Sequence, residues 1–200
     1  MNLFSLTRLT TATRFAPEDS ANWVDSAWRE PAANGTYATG GGVTLAYPSS
    51  GWNDTGINVE VTHGQSLNRP HIDLRLAGTT SGGPYLYVGM TDNWRIPAVS
   101  GNVVELSFYA ALMAGAPDIF PFYQWYIDEW DSGVGYLTST NENDTLRLGT
   151  PHAPAQNLRR MSPGHASCAY VSFGWVVQLS ISTSIDTTIR LLRPYIRRIS

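Results

Sequence analysis

Apolar and polar residues alternate along most of this chain. Ile57-Asn58-Val59-Glu60-Val61 places every second side chain on one face, and so does His71-Ile72-Asp73-Leu74-Arg75-Leu76, with His71, Asp73 and Arg75 on the polar side. A two-residue period belongs to a strand with one buried face. Val104, Leu106, Phe108, Ala110 and Leu112 form a third set, opposite Glu105, Ser107 and Tyr109. Later sets are Tyr123, Trp125 and Ile127; Leu146 and Leu148; Val171, Phe173 and Trp175; Val177, Leu179 and Ile181; and Ile189 with Leu191. Turn-forming clusters separate them at Gly40 to Gly42, Pro48 to Gly51, Asn53-Asp54, Gly82-Gly83-Pro84, Ser100-Gly101-Asn102, Asp131-Ser132-Gly133 and Ser162-Pro163-Gly164. Short strands punctuated in this way predict an all-β fold, an antiparallel β-sandwich rather than an α/β sheet.

Helical signals are few. Pro17 to Trp28 predicts one or two turns, with Asp19 or Ser20 as the cap and Trp23, Ala27 and Trp28 facing inward. Ala110 to Ala116 continues a strand pattern and stops at Pro117, so it reads as strand running into loop. Met1 to Phe15 alternates poorly and carries no acidic residue. It reads as a lead-in or first edge strand, or as an arm that docks on another protein. The expected organisation is an N-terminal arm over residues 1–15 and a single sandwich domain over residues 16–200.

Composition narrows the function. Charged residues make up 14% of the chain, against about 25% in ordinary soluble domains. The 13 cations are all Arg, the acidic residues number 16, and the net charge is −3. Those counts speak against a strongly basic nucleic-acid binder, a coiled coil and a disordered tail. No apolar run reaches the roughly 18 residues of a membrane helix, and no charged start followed by an apolar stretch marks a signal peptide. A single cysteine, Cys168, excludes an internal disulfide and a Cys-based zinc cluster.

Catalytic chemistry finds little footing. There is no G-x-S-x-G, and His165, Ser167 and Cys168 have no Asp partner at a known spacing. Gly40-Gly41-Gly42 lacks the Lys and helix of a phosphate loop. The four His, at 63, 71, 152 and 165, never fall at metal-ligand spacing. Glycoside hydrolysis needs two carboxylates about 5 to 9.5 Å apart. Asp128 and Glu129 are adjacent and point to opposite faces of a strand, while Asp128 meets Glu105 or Asp73 only if their strands are neighbours. The expectation is a protein that is not an enzyme.

The aromatic residues carry more information. Phe120 to Trp130 holds six rings in eleven residues. With Tyr123, Trp125 and Ile127 buried, Phe122, Gln124, Tyr126, Asp128 and Trp130 take the opposite face, and Tyr109 lies outward on the preceding strand. Flat rings beside amides and carboxylates suit sugars, because rings contact C–H faces while polar groups bond hydroxyls; they also suit protein surfaces. The candidate carbohydrate-binding residues are therefore Tyr109, Gln124, Tyr126, Asp128 and Trp130. Four of the 13 Arg (190, 193, 197 and 198) crowd the last eleven residues. They read as solvated side chains on a final strand that bends at Pro194, or as a basic patch for an acidic neighbour.

Trp94 to Asn102, followed by Leu106-Ser107-Phe108-Tyr109-Ala110-Ala111-Leu112, resembles a stretch of carbohydrate-binding-module-like jelly rolls. Asp186 to Pro194 resembles their closing strand, and Asn2-Leu3-Phe4 their opening. Ala111 stands where Arg often follows in that pattern, and Arg197-Arg198 where an acidic residue often closes it. Such domains recur in fibres, spikes and receptor-binding proteins of phages and gene transfer agents. The resemblance implies a non-catalytic component on the surface of a phage-type particle, gripping host polysaccharide in several copies, a trimer favoured, with other virion proteins bound through the N-terminal arm. It implies neither nucleic acid nor membrane insertion. Family members frequently hold a structural calcium near their termini, toward which Asp186 would contribute, but the oxygen cluster that calcium needs is not evident and no cofactor is expected. The alternative is a decoration, collar or adaptor protein that mounts other fibres and binds no sugar.

Overall fold

The structure, a computed structural model, describes residues 14–15, 23–25, 30–31, 33–47, 49–66, 69–90 and 94–200. Its strands are β1 (Arg14–Phe15), β2 (Trp23–Asp25), β3 (Glu30–Pro31), β4 (Gly35–Tyr37), β5 (Gly41–Tyr47), β6 (Ser49–Asp54), β7 (Val59–Ser66) and β8 (Arg69–Thr79). They continue with β9 (Tyr85–Met90), β10 (Trp94–Pro97), β11 (Val104–Ala114), β12 (Phe122–Trp130), β13 (Tyr136–Asp144), β14 (Ala155–Met161), β15 (Tyr170–Gln178) and β16 (Ser184–Arg198). One 3-10 turn, Pro117–Ile119, interrupts them.

These strands form two sheets. In the larger, β13, β12 and β15 lie side by side, and β15 is flanked on its far side by β9, β6, β5 and β3, with β10 and β1 beside its first residues. The smaller runs β14, β11, β16, β8, β7 and β4, with β2 also on β16. Pairing is antiparallel except between β1 and β10. This is the antiparallel β-sandwich that the alternation predicts.

The core is the meeting of the two inner faces. Val59, Val61, Leu74, Leu76, Leu106 and Ile189 come from the small sheet, and Leu86, Val88, Trp125, Ile127, Val171 and Trp175 from the large one. Phe108 of β11 reaches across and stacks on Trp175, ring centroids 4.9 Å apart, while Trp125 lies 5.2 Å away. Tyr123, Trp125 and Ile127 are all buried, as their period requires.

Some local expectations fail for identifiable reasons. Gly41 and Gly42 belong to β5, and the supposed turns at Gly51 and Asn53-Asp54 are the interior of β6. A methyl at Gly51 would come within 2.1 Å of the Tyr87 carbonyl oxygen, so glycine here serves close strand approach. Asn53 is buried, and its amide nitrogen donates to the carbonyls of Tyr37 and Ile57. Trp23–Asp25, inside the expected helix, is a strand that pairs with Tyr195 to Arg197 where β8 has ended. Those exposed ladder groups of β16 take a partner, which overrides local helix propensity. Residues 16–22 and 26–29 lie outside the described residues, as does the proposed arm apart from Arg14–Phe15. Leu146 and Leu148 pack on the core from an irregular segment, and Ile181 is exposed in a turn after β15 has ended.

Half of the Arg-rich end is tied up in the outer face of the small sheet. Arg190 forks onto Asp73 with two 2.7 Å hydrogen bonds. Arg197 and Arg160 both donate to Glu105, as does the Tyr195 hydroxyl. Burial alone would push the Glu105 carboxyl up, but these donors outweigh it and hold it below the ordinary carboxylate range. Arg193 takes a positive φ of 52° at a bulge where β16 carries two residues, Arg193 and Pro194, opposite Phe108. Proline has no N–H for the ladder, and a bulge is where a strand tolerates it. A bend is therefore present, and two of the four cations, Arg190 and Arg197, already have carboxylates.

Candidate functional site

The outer face of the large sheet is where exposed aromatic residues collect. Trp52 on β6 and Tyr87 on β9 are directly paired, and 48% and 38% exposed. Continuing across the sheet, Tyr87 faces Val176 on β15, Val176 faces Gln124 on β12, and Gln124 faces Asn143 on β13. Residues directly opposite in antiparallel strands share a face, so this is one row of side chains. Three strand spacings separate Trp52 from Gln124, about 14 Å. The Gln124 amide nitrogen donates to the Asn143 side-chain oxygen at 3.0 Å, which fixes both amides at the row's end. Tyr85, two residues from Tyr87, leans toward it with ring centroids 6.1 Å apart, and Asp54 lies beside Tyr85 on β6.

The next row is low. Gly174 and Gly89 occupy it, and Tyr126 lies over both: a methyl at Gly174 would come within 2.2 Å of the Tyr126 hydroxyl oxygen and one at Gly89 within 2.7 Å. Beyond it, Asp128 accepts a hydrogen bond from Ser139, whose hydroxyl lies 2.9 Å from that of Tyr136. Tyr136 is 58% exposed and meets the Trp130 ring edge-on at 5.6 Å.

Of the five sequence candidates, Gln124, Tyr126 and Asp128 share this face and are half-buried. Trp130 stands on it too, but only 8% exposed. The Arg95 guanidinium covers its ring at 3.7 Å, Tyr136 abuts it, and its Nε1 donates to Ser172. It is a support rather than a sugar platform. Tyr109 is on β11 of the small sheet, so its outer face looks away from β12. The expectation that it joins the others is corrected: β11 and β12 follow each other in sequence but lie in different layers. Sequence reasoning missed Trp52, Tyr87 and Tyr136. The alternation Tyr85-Leu86-Tyr87-Val88 was available as a signal for one of them, whereas Trp52 was hidden between Gly51 and Asn53-Asp54.

The carboxylates do not make a hydrolytic pair. Asp128 points out of the large sheet, and Glu129 points inward, buried and accepting from Thr140, the Gly164 N–H and the His165 N–H. Asp73 and Glu105 are on strands of the other sheet, each held by Arg. Asp186 is gripped by Arg75 through two hydrogen bonds, so it does not fit a calcium role. Among the described residues no group of three or more His, Cys, Asp or Glu converges in a way that could hold a metal ion. None of their helices is long and apolar enough to cross a membrane.

These residues define a two-sheet antiparallel β-sandwich with an aromatic and amide outer face. No protein-family model matches the chain, and no curated protein matches it in sequence. Among solved structures it is similar to the enzymatically active domain of tailspike protein 4 of bacteriophage CBA120, with 12% identity and a TM-score of 0.47 over 90% of this chain. The chain spans only 20% of that tailspike chain. It is similar to the CBM22-1 xylan-binding domain of Xyn10C from Paenibacillus barcinonensis, with 16% identity and a TM-score of 0.47 over 88% of this chain and 92% of that one. A CBM4 structure gives 12% identity and a TM-score of 0.41 over 80% of this chain and 96% of that one.

Proposed function

We propose that this protein is a non-catalytic glycan-binding domain that holds polysaccharide on the outer face of its large sheet. Trp52 and Tyr87 form the stacking platform, Tyr85 extends it, and Gln124, Asn143 and Asp54 supply hydrogen bonds to hydroxyls. One observation carries the reading: a Trp and a Tyr stand paired and exposed on the same sheet whose inner rings, Tyr123, Trp125 and Trp175, are buried. Such rings offer rigid contact area at low entropic cost. The separation of the carboxylates favours binding over hydrolysis.

The sequence phrases shared with phage and gene-transfer-agent domains support a place on the surface of a phage-type particle, with host polysaccharide as ligand. Single sugar contacts are weak, and several copies of the chain, a trimer favoured, would raise the effective concentration enough for adhesion. Affinity electrophoresis in gels containing bacterial surface polysaccharides tests the reading. Retardation that is abolished by Trp52→Ala supports it. Unchanged migration of the folded protein in every polymer overturns it in favour of the adaptor reading, in which the same rings meet other subunits.

A further inference from the structure

We propose that the face takes an uncharged polysaccharide in mid-chain, laid diagonally between two aromatic stations, Trp52–Tyr87 at one corner and Tyr136 at the other. The inference rests on the glycan-binding reading above and adds how the ligand lies and which chemical class it belongs to.

Tyr136 is the most exposed aromatic side chain among the described residues, yet it is held in place from two sides. Trp130 meets its ring edge-on, and its hydroxyl is within hydrogen-bond distance of Ser139. Trp130 is fixed in turn by Arg95 and Ser172. An exposed ring with that much support is positioned before any ligand arrives, which lowers the ordering cost of binding. From Trp52 to Tyr136 the path crosses four strand spacings and runs about six residues along β12, a diagonal of roughly 28 Å. Among the described residues the ground between is low: Tyr126 lies over Gly89 and Gly174, and Val176 is short and buried. Asp128 with Ser139 lines the route with polar groups, and Gln124 with Asn143 lies to one side of it, at the end of the Trp52 row. A short sugar reaches one station, whereas a chain that spans both engages the second as an intramolecular event.

Charge selects the class. The chain contains no Lys. Among the described side chains, this face presents Asp54 and Asp128, and its guanidinium, Arg95, is 3% exposed beneath other groups. A uronate or phosphate along the diagonal would meet carboxylates and, among the described side chains, no accessible cation, a repulsion felt over a Debye length of about 8 Å.

The test is affinity electrophoresis of the full chain in gels containing xylan, dextran or galactomannan as neutral polymers and alginate or polygalacturonate as acidic ones. Each neutral polymer that retards the protein is then compared, by calorimetry, with its own trisaccharide from partial hydrolysis. The expected result is retardation by at least one neutral polymer and by neither acidic one, with the polymer bound at least ten-fold more tightly than its trisaccharide. Tyr136→Ala is expected to weaken the polymer about ten-fold, a loss of one tenfold step in the equilibrium constant, and to leave the trisaccharide unchanged. Retardation by acidic polymers alone overturns this inference while leaving glycan binding standing. So does full polymer affinity in Tyr136→Ala, whose exposed side chain leaves folding unchanged by circular dichroism. Absence of retardation in every gel overturns both readings together.

Discussion

Trp52 stands directly opposite Tyr87 across the β6–β9 ladder, with Gly51 just before it packed against the Tyr87 carbonyl. The missing side chain at Gly51 lets the two strands close, so the two rings share one platform instead of splaying apart. Both rings are exposed, so removing one takes contact area from a ligand and little from the core. Trp52→Ala is expected to abolish retardation in a polysaccharide gel while changing unfolding free energy by no more than about 0.5 kcal/mol, the usual range for surface substitutions. Urea denaturation beside gel electrophoresis checks both halves.

The hydrophobic core tests the sandwich itself. Phe108 is the ring of the small sheet that stacks on Trp175 and touches Tyr123 and Trp125 of the large one. Phe108→Ala removes this bridge and leaves a cavity that rigid strands fill poorly. A loss of about 3–5 kcal/mol is expected, seen as a lower urea midpoint with an unchanged slope.

The alternation of residues revealed that inner layer because burial acts on every second side chain alike. Tyr123, Trp125 and Ile127 needed no knowledge of partners, and neither did Ile72, Leu74 and Leu76. The outer face was less legible. Whether an outward ring is wet depends on which strands become neighbours, and that is set by non-local pairing. Trp130 is covered by Arg95, 35 positions earlier, and Tyr109 lost its companions because β11 and β12 joined different sheets. Gly51 and Asn53 misled for a related reason, since the residues that favour turns also serve where strands approach closely or where a buried amide ties backbone together.

Glu105 predicts an acid limb of stability. Its carboxyl is buried, yet Arg197, Tyr195 and Arg160 keep it below its ordinary value of 4.5 in the folded chain. The unfolded chain therefore takes up this proton first as pH falls. The stability this site contributes is complete above about pH 4.5 and is lost as pH drops through the lower folded value. Glu105→Gln is expected to cost about 1–3 kcal/mol at pH 7, because buried charge-assisted bonds are lost. It should also flatten the pH dependence between pH 5 and 3 relative to the wild type. Thermal or urea unfolding across that range measures both; a parallel pH profile in the variant would remove Glu105 as the cause.

Cys168 illustrates a group whose environment removes its chemistry. Burial, with the nearby Glu129 carboxylate, pushes the thiol up to about 11. The thiolate is the reactive form, so little is available at neutral pH. Iodoacetamide at pH 8 is expected to leave the native protein unlabelled and to modify it fully in urea, read by mass spectrometry. Rapid labelling of the native chain would mean that the segment around Cys168 opens readily.

Gly174 carries the most stringent demand on the candidate face. A methyl there would stand 2.2 Å from the Tyr126 hydroxyl oxygen and 2.6 Å from the Val88 carbonyl oxygen. Tyr126 can swing aside, but Val88 is backbone of the adjoining strand and cannot move without parting β9 from β15. Gly174→Ala is expected to destabilise the fold by about 1–3 kcal/mol, the range for overpacking a well-filled site. It should also lift Tyr126 off its seat and raise an obstacle on the low path between Trp52 and Tyr136. The double variant Gly174→Ala, Tyr126→Ala separates the two contacts. It removes the collision with the hydroxyl and keeps the one with the carbonyl, so only partial recovery of the urea midpoint is expected. Full recovery would show that Tyr126 alone requires the glycine, and that the β9–β15 ladder has room for a side chain at this position.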